Sequence, residues 1–193
     1  MNLKSASAMG LTLAWVLAGA LFCATANAGP ATAPTVGTPA PDFSLSGLDG
    51  GSVKLSAELK EGPVVLILLR GWPGYQCPFC TRQFGDFLSH AKALQDAGAR
   101  VIFVYPGPAE NLQRHAEDFR ANRKLPENFK FAIDPDYVFT NAYGLRWDAK
   151  NETAYPATFV IDRNGTVRFA LISHEHGGRA PATDVLKALA MGK

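Results

Sequence analysis

The sequence predicts a single α/β domain whose central β-sheet is mixed, with helices on both faces. Two continuous apolar runs, residues 63–70 and 99–107, have strand length and are typical of buried central strands. Each run is followed by apolar residues at helical spacing, which is the order of parallel strand–helix units. A hairpin signal and a last helix follow, so antiparallel strands should extend the same sheet.

The first half of the predicted domain begins with a β-hairpin. Asp49-Gly50 lies between short alternating segments, and this dipeptide favours a tight turn between two strands. The buried strand at residues 63–70 comes next. The tetrapeptide Cys77-Pro78-Phe79-Cys80 then precedes an amphipathic helix, whose apolar positions are Phe84, Phe87, Leu88, Ala91 and Leu94.

The second half repeats this order and ends in a hairpin and a helix. After the strand at residues 99–107, the spacing of Leu112, Ala116 and Phe119 predicts another amphipathic helix. Residues 156–172 read as two strands that turn at Asn164-Gly165. Residues 183–190 predict the final helix, with Thr183 as its N-cap.

Composition and charge limit the classes of function. The chain has 193 residues, a formal net charge of +2 and 47% hydrophobic residues, which is ordinary for a globular domain. The sequence has no run of basic residues and no mixing of basic with aromatic residues. Together with the mild net charge, this excludes nucleic acid as a partner. The absence of a glycine-rich phosphate loop from the sequence predicts that no organic cofactor is needed.

Residues 1–28 have the order of a secretory signal peptide. Lys4 supplies the positive charge, an apolar run begins at Met9, and Ala26-Asn27-Ala28 is a cleavage motif. We therefore expect cleavage after Ala28 and a periplasmic or extracellular protein that is not embedded in the membrane. An uncleaved membrane anchor is the alternative, whereas lipidation of Cys23 is disfavoured because the bulky Phe22 precedes it.

Cleavage would leave a lead-in at residues 29–40 and a domain at residues 41–193. The lead-in is rich in Pro, Ala, Thr and Gly, so we expect it to be flexible or extended. It would also leave Cys77 and Cys80 as the two cysteines. A bridge between residues so close in sequence constrains the unfolded chain little, so a purely structural disulfide explains this pair poorly.

The position of the pair favours redox chemistry. A helix that starts at Pro78 presents unpaired N–H groups and the positive end of its dipole to the cysteines, and both favour a thiolate. The thiolate is the reactive form of cysteine. The spacing also lets the second sulfur attack the first, which releases a mixed disulfide. Tyr155-Pro156, directly before an apolar strand, is a candidate cis peptide bond beside this site.

Four segments, residues 39–56, 64–84, 131–145 and 155–172, together resemble the AhpC/TSA family, the peroxiredoxins and their thioredoxin-like relatives. The resemblance implies a thioredoxin-like fold over nearly all of the mature chain. It also implies an oxidoreductase that reduces peroxides or exchanges protein disulfides. Its electron donor or substrate would be a protein thiol or disulfide, and a peroxide is the alternative substrate.

The resemblance leaves the attacking sulfur open. On the peroxiredoxin pattern P-x-x-x-[TS]-x-x-C, Cys80 is the peroxidatic residue, but Cys77 replaces the Thr or Ser, and Pro156 stands where the family has an arginine. On the thioredoxin pattern, Cys77 attacks, Cys80 resolves, and Pro156 is the cis-proline beside them. Arg70 is the charged residue before the motif, and a cation there would stabilise a thiolate; a solvated charge at the end of a strand is the other interpretation.

Two further hypotheses compete with the redox enzyme. Two thiolates and an imidazole suit Cu(I), so Cys77, Cys80 and a histidine from His174-Glu175-His176 could form the site of a copper chaperone of the Sco type. The cysteines of that family are spaced C-x-x-x-C, unlike those here. The second hypothesis is a binding module in which the cysteines have no chemical role. It would require both cysteines to fall by chance at the N-terminus of a helix, where a thiolate is stabilised.

Overall fold

The computed structural model describes Met1 and residues 31–191. The strands are β1 (Ser44–Gly47), β2 (Ser52–Lys54), β3 (Val64–Leu68), β4 (Arg100–Gly107), β5 (Phe129–Pro135), β6 (Ala157–Ile161) and β7 (Val167–Ile172). The helices are α1 (Leu55–Glu61), α2 (Pro78–Ser89), α3 (Ala91–Asp96), α4 (Leu112–Arg120), α5 (Val138–Ala142) and α6 (Ala182–Met191). The predicted signal peptide lies, apart from Met1, outside the described residues.

The strands form one mixed sheet in the order β2-β1-β5-β4-β3-β6-β7. The three central strands β5, β4 and β3 are parallel to one another. β1 pairs antiparallel with β5 and β6 pairs antiparallel with β3, while the edge strands β2 and β7 pair antiparallel with β1 and β6. Within this sheet Leu68, the last residue of β3, pairs with Ala157, the first residue of β6. The carboxyl end of β3 therefore lies beside the segment that leads into β6, and the cysteine motif follows directly from that end.

Alternate residues of β3 pack on opposite faces of the sheet. Val65 and Ile67 belong to the core shared with α2, α3, α4 and α6, whereas Val64 and Leu66 face the core shared with α1 and α5. All four side chains are fully buried. This alternation follows from the two-residue period of a strand, and it confirms the prediction of a mixed sheet with helices on both faces.

Several element boundaries differ from the sequence prediction. The helix after the cysteines is divided at His90 into α2 and α3. The final helix begins at Ala182, so the prediction of Thr183 as its N-cap is wrong. The N–H of Ala182 instead donates to the Asp86 carboxylate on α2, 2.7 Å away. A residue distant in sequence thus satisfies the end of this helix.

The sequence patterns did not predict α1, β5 or α5. In β5 the apolar residues are interrupted by Lys130 and Asp134, which hides its period. Asp134 is fully buried because its carboxylate accepts hydrogen bonds from the backbone N–H groups of Phe139 and Thr140 at the start of α5. A charged residue in this strand is therefore explained by the helix that follows it.

Residues 37–40 extend along the β6–β7 hairpin. The N–H of Gly37 donates to the Val167 carbonyl at 2.9 Å, and the N–H of Ala40 donates to the Gly165 carbonyl at 2.8 Å. These hydrogen bonds hold this part of the lead-in against the hairpin. In the part of the chain that the structure describes, no helix is both long and apolar enough to cross a membrane.

Truncation of Phe103 tests the main core. Phe103 is fully buried on β4 and packs edge-to-face against Phe84 and Phe87 of α2. We expect Phe103→Ala to lower the free energy of unfolding in urea by about 3–5 kcal/mol, because it leaves a cavity beneath the helix that carries the cysteines. Val138→Ala, at a side chain that is 68% exposed, should change it by less than about 0.5 kcal/mol. Equal effects of the two variants would contradict this packing.

Candidate active site

Cys77 and Cys80 lie at the start of α2, where the sequence predicts them. Cys77 is the N-cap residue with extended backbone, and Pro78 is the first residue of the helix. Proline suits this position because its missing N–H would have no partner inside the helix. The N–H of Thr81 donates to the carbonyl of Cys77 at 3.1 Å, so the cysteines span the first turn.

The two cysteines are free, buried and 3.5 Å apart. A hydrogen bond from the Cys80 thiol, with help from the cation of Arg179, holds the pKa of Cys77 well below its usual range despite burial. Burial, and then the neighbouring Cys77 sulfur, raise the pKa of Cys80. These opposite shifts favour the state in which Cys77 carries the negative charge and Cys80 keeps its proton.

Arg179 is the cation of this site, and the sequence analysis did not identify it. Its Nη2 lies 3.8 Å from the Sγ of Cys77 and 3.5 Å from the Sγ of Cys80. Its Nε donates to the carbonyl of His176 at 3.1 Å, and its Nη1 donates to Oε1 of Gln83 at 3.2 Å. These contacts fix the guanidinium over both sulfurs.

Gln83 holds Arg179 from the buried side of α2. Its side chain is 5% exposed, and its Nε2 donates to the Thr158 hydroxyl of β6 at 3.2 Å and to the Ala180 carbonyl at 3.4 Å. The amide thus connects α2, β6 and the loop before α6. The sequence held one signal that Gln83 has a polar partner in the interior. This polar residue lies on the same helix face as the buried Phe84 and Phe87.

Arg70 lies beside the site, but its guanidinium does not contact either sulfur. It is buried and donates to Oε2 of Glu152 at 2.7 Å, to the Tyr75 hydroxyl at 2.6 Å and to the Asn151 carbonyl at 2.7 Å. Its backbone N–H points to the Sγ of Cys80 at 3.3 Å. The interpretation as a solvated charge is wrong, because Arg70 is buried and paired. Its contact with the pair is made through the main chain, to the sulfur of Cys80.

The prediction of a cis bond before Pro156 is wrong, because none of the described peptide bonds is cis. The backbone on both sides of this proline is held extended. The N–H of Tyr155 donates to the Leu145 carbonyl at 2.9 Å, and the Pro156 carbonyl accepts from the N–H of Ser173 at 2.8 Å. Pro156 thus leads directly into β6 in the trans form that X–Pro bonds prefer.

The two late histidines have other partners. Nε2 of His176 lies 2.9 Å from Oε1 of Glu152, and the ring of His174 packs against Tyr155 with 4.8 Å between centroids. Among the residues that the structure describes, no three His, Cys, Asp or Glu side chains come together in a metal-binding group. The hypothesis of copper held by the two cysteines and a histidine therefore gains no support.

A second polar chain supports the residue before Cys77. Oε1 of Gln76 accepts from the Tyr105 hydroxyl, and Nε2 of Gln76 donates to the His115 carbonyl, each at 2.8 Å. Trp72, which follows β3, stacks on the ring of His115 with 3.7 Å between centroids. The segment from β3 to the cysteines is thus fixed to β4 and α4.

Comparisons with known proteins agree with this fold and motif. The family model described as the AhpC/TSA family matches residues 36–170. Peroxiredoxin Q of Oryza sativa subsp. japonica is 31% identical over 133 residues, which are 69% of this chain and 57% of that protein. The thiol-disulfide oxidoreductase ResA of Geobacillus thermodenitrificans is 32% identical over 138 residues, 71% of this chain and 69% of that protein. The chain thus matches little more than half the length of the peroxiredoxin Q relatives.

Solved structures confirm the thioredoxin-like fold. The peroxidoxin BcpB of Mycobacterium tuberculosis superposes with a TM-score of 0.67 at 23% identity, covering 83% of this chain and 99% of that chain. A putative thiol:disulfide interchange protein DsbE of Chlorobium tepidum gives 0.60 at 27% identity, covering 83% and 98%.

Removal of the Arg179 cation tests the ionisation of the pair. We expect Arg179→Gln to move the pH midpoint of Cys77 alkylation by iodoacetamide upward, toward the ordinary thiol value of about 8.5. The direction follows because a cation favours the thiolate, and its loss raises the pKa of Cys77. Arg114→Gln, at an exposed arginine of α4, is the matched control. A midpoint that stays in place in Arg179→Gln would contradict the electrostatic role.

Proposed function

This chain belongs to the AhpC/TSA family, and we propose that it is a thiol-based redox enzyme that cycles Cys77 and Cys80 between a dithiol and a disulfide. The observation that carries the proposal is the close pair of sulfurs, which share one proton beneath Arg179 at the start of α2. Relatives named peroxiredoxin Q and ResA, a thiol-disulfide oxidoreductase, support the same chemistry.

Cys77 is the attacking residue in this proposal and Cys80 the resolving one. The lowered pKa of Cys77 supports this assignment, because the thiolate is the nucleophile and Cys80 retains its proton. Cys77 is only 2% exposed. Neighbouring groups must therefore move before a substrate can reach the sulfur.

With a protein disulfide as substrate, the Cys77 thiolate attacks one of its sulfurs and forms a mixed disulfide. The other substrate sulfur leaves with the bonding electrons and takes up a proton. Cys80 then loses its proton and attacks the Sγ of Cys77, which releases the second substrate thiol. The substrate is reduced to a dithiol, and the enzyme is oxidised to the Cys77–Cys80 disulfide.

Reduction of a peroxide is the second candidate, and the contact of Arg179 with both sulfurs favours it. A thiolate would attack one peroxide oxygen, the other oxygen would leave and take up a proton, and a sulfenic acid would form. The second cysteine would then displace water and close the disulfide. On the family pattern Cys80 would attack first, but its raised pKa makes it the poorer nucleophile here.

We propose that this cycle operates outside the cytoplasm, supported by the order of charge, apolar run and cleavage motif in residues 1–28. Disulfides persist in such compartments. A protein thiol or disulfide is then the redox partner. No organic cofactor enters either set of steps, because the two sulfurs carry the electrons.

Stopped-flow mixing of the reduced protein with a model protein disulfide, and separately with hydrogen peroxide, tests the proposal. We expect Cys77→Ser to abolish disulfide exchange, because serine cannot form the mixed disulfide. Cys80→Ser should retain the first step and accumulate the mixed disulfide, detectable by mass spectrometry, because the resolving sulfur is missing.

The same three proteins distinguish the two substrates. Fast peroxide consumption that survives Cys77→Ser and is lost in Cys80→Ser would reverse the roles of the cysteines and identify a peroxidase. Inertness of the wild type toward both substrates would contradict the redox proposal itself. The reduced double variant, with both cysteines changed to serine, measures the background in each assay.

A further inference from the structure

The guanidinium of Arg179 is held in place without a carboxylate partner. No ion pair within residues 31–191 includes it. Apart from the sulfurs, it contacts two uncharged oxygen atoms, the carbonyl of His176 at 3.1 Å and Oε1 of Gln83 at 3.2 Å. The charge of Arg179 therefore remains available to the sulfurs, and its position depends on what holds these two acceptors.

His176 is tied to the interior through its ring, because Nε2 lies 2.9 Å from Oε1 of Glu152. Partial burial opposes it, but hydrogen bonds from Arg70 and His176 hold the pKa of Glu152 below its usual range. The carboxylate is therefore charged and can only accept, so the proton of this hydrogen bond lies on Nε2 of His176. Oε2 of the same carboxylate accepts from Nε of the buried Arg70 at 2.7 Å, which fixes Glu152 in turn.

These contacts form a closed ring around the cysteines. The side chain of Arg70 donates to Glu152, and Glu152 accepts from His176. The carbonyl of His176 accepts from Arg179, whose Nη2 lies 3.5 Å from the Sγ of Cys80. The backbone N–H of Arg70 donates to the same sulfur at 3.3 Å. The Arg70 side of this ring is buried at the end of β3, so the loop that carries His176 is the side that moves when a contact is lost.

The main chain before Arg179 has little stiffness of its own. Gly177 and Gly178 separate it from His176, and glycine loses more conformational freedom than any other residue when its backbone is fixed. The carboxylate of Glu175 lies beside these two glycines. A loop that is free to move would therefore offer Arg179 a competing anion in place of the thiolate.

We infer that His176 is a positioning residue of the redox site: its ring, held by Glu152, fixes the main-chain carbonyl that keeps Arg179 on the two sulfurs. The inference rests on the proposed redox function, because Arg179 then favours the Cys77 thiolate that starts the exchange. Any residue at this position has the carbonyl. The ring contributes the hydrogen bond that sets where the carbonyl lies.

The first test titrates Cys77 in the reduced protein. His176→Phe keeps a ring beside Trp147, now at 5.5 Å between centroids, but loses the donor to Glu152. We expect the pH midpoint of Cys77 alkylation by iodoacetamide to rise by about half a pH unit or more, because a cation in contact lowers the pKa of an acid by roughly 1–3 and is here displaced rather than removed. The midpoint, unlike the rate, does not depend on how easily the reagent reaches the sulfur.

Other variants assign the effect to the hydrogen bond. His176→Gln restores an N–H donor and should return the midpoint to the wild-type value, whereas His176→Ala should repeat the shift of His176→Phe. His174→Phe makes the same replacement at a ring that packs on Tyr155, and it should preserve the midpoint. The side chain of His176 is 41% exposed, so we expect these variants to fold, which urea unfolding checks.

A double variant separates positioning from a direct effect of His176 on the sulfur. If His176 acts through Arg179, then adding His176→Phe to Arg179→Gln should move the midpoint no further, because the two changes remove the same interaction. A direct effect of charge on His176 would instead add its own shift in both backgrounds.

The equilibrium with a glutathione redox buffer gives a second readout. A thiolate stabilises the reduced protein, so a displaced cation should disfavour reduction of the disulfide. We expect His176→Phe to lower the equilibrium constant for reduction at neutral pH about threefold, which corresponds to about 15 mV, and His176→Gln to leave it unchanged.

Three results would overturn the positioning role: a wild-type midpoint in His176→Phe and His176→Ala, an equal shift in His176→Gln, or an undiminished shift in the Arg179→Gln background. The proposed function fails on a different result, namely a wild-type protein that neither exchanges disulfides nor reduces peroxide. The titration of the reduced protein does not depend on that turnover, so the two failures are distinguishable.

Discussion

The contact between Arg179 and the two sulfurs is the interaction on which the rest of the site depends. Two buried thiols this close cannot both ionise, because like charges repel strongly in a medium of low polarity. The hydrogen bond from the Cys80 thiol, together with the cation of Arg179 near both sulfurs, favours the state with a single thiolate and a single proton. That division of roles, one sulfur charged and one neutral, is what a resolving dithiol requires.

The fold holds this contact from three directions. The N-terminus of α2 carries the cysteines. The side-chain amide of Gln83 ties the loop before α6 to α2 and to β6. The ion pair between the buried Arg70 and Glu152 holds the segment before β6. His176 joins the last two, because its ring meets Glu152 while its carbonyl accepts from Arg179. Removal of one partner from the Arg70–Glu152 pair would leave a buried charge without compensation.

Relative to the family pattern, the site reaches the same electrostatic result by another route. The position of the usual arginine is Pro156, in a trans peptide bond at the start of β6. The guanidinium instead comes from the loop that follows β7. Cys77 stands where a hydroxyl residue would donate a hydrogen bond, so both cysteines lie inside the motif. Such an arrangement suits exchange between sulfurs.

The sequence by itself determined the features that depend on near neighbours. The period of the apolar residues predicted β3, β4 and the β6–β7 hairpin, and the position of Cys77 and Cys80 between a strand and a helix predicted their place at the start of α2. The sequence patterns missed β5, because the buried charge of Asp134 is compensated by groups of α5 rather than by any pattern within the strand.

Only the tertiary structure decided which cation serves the sulfurs. Arg70 is close to the cysteines in sequence, yet Glu152 draws its guanidinium away from them. Arg179 is 99 residues from Cys80 and belongs to no motif, and chain folding alone brings it to the site. Electrostatic partners are selected by distance in space, whereas sequence patterns record distance along the chain. For this reason the sequence narrows the proposed nucleophile to two cysteines, and the proposed assignment to Cys77 rests on contacts that only the folded chain makes.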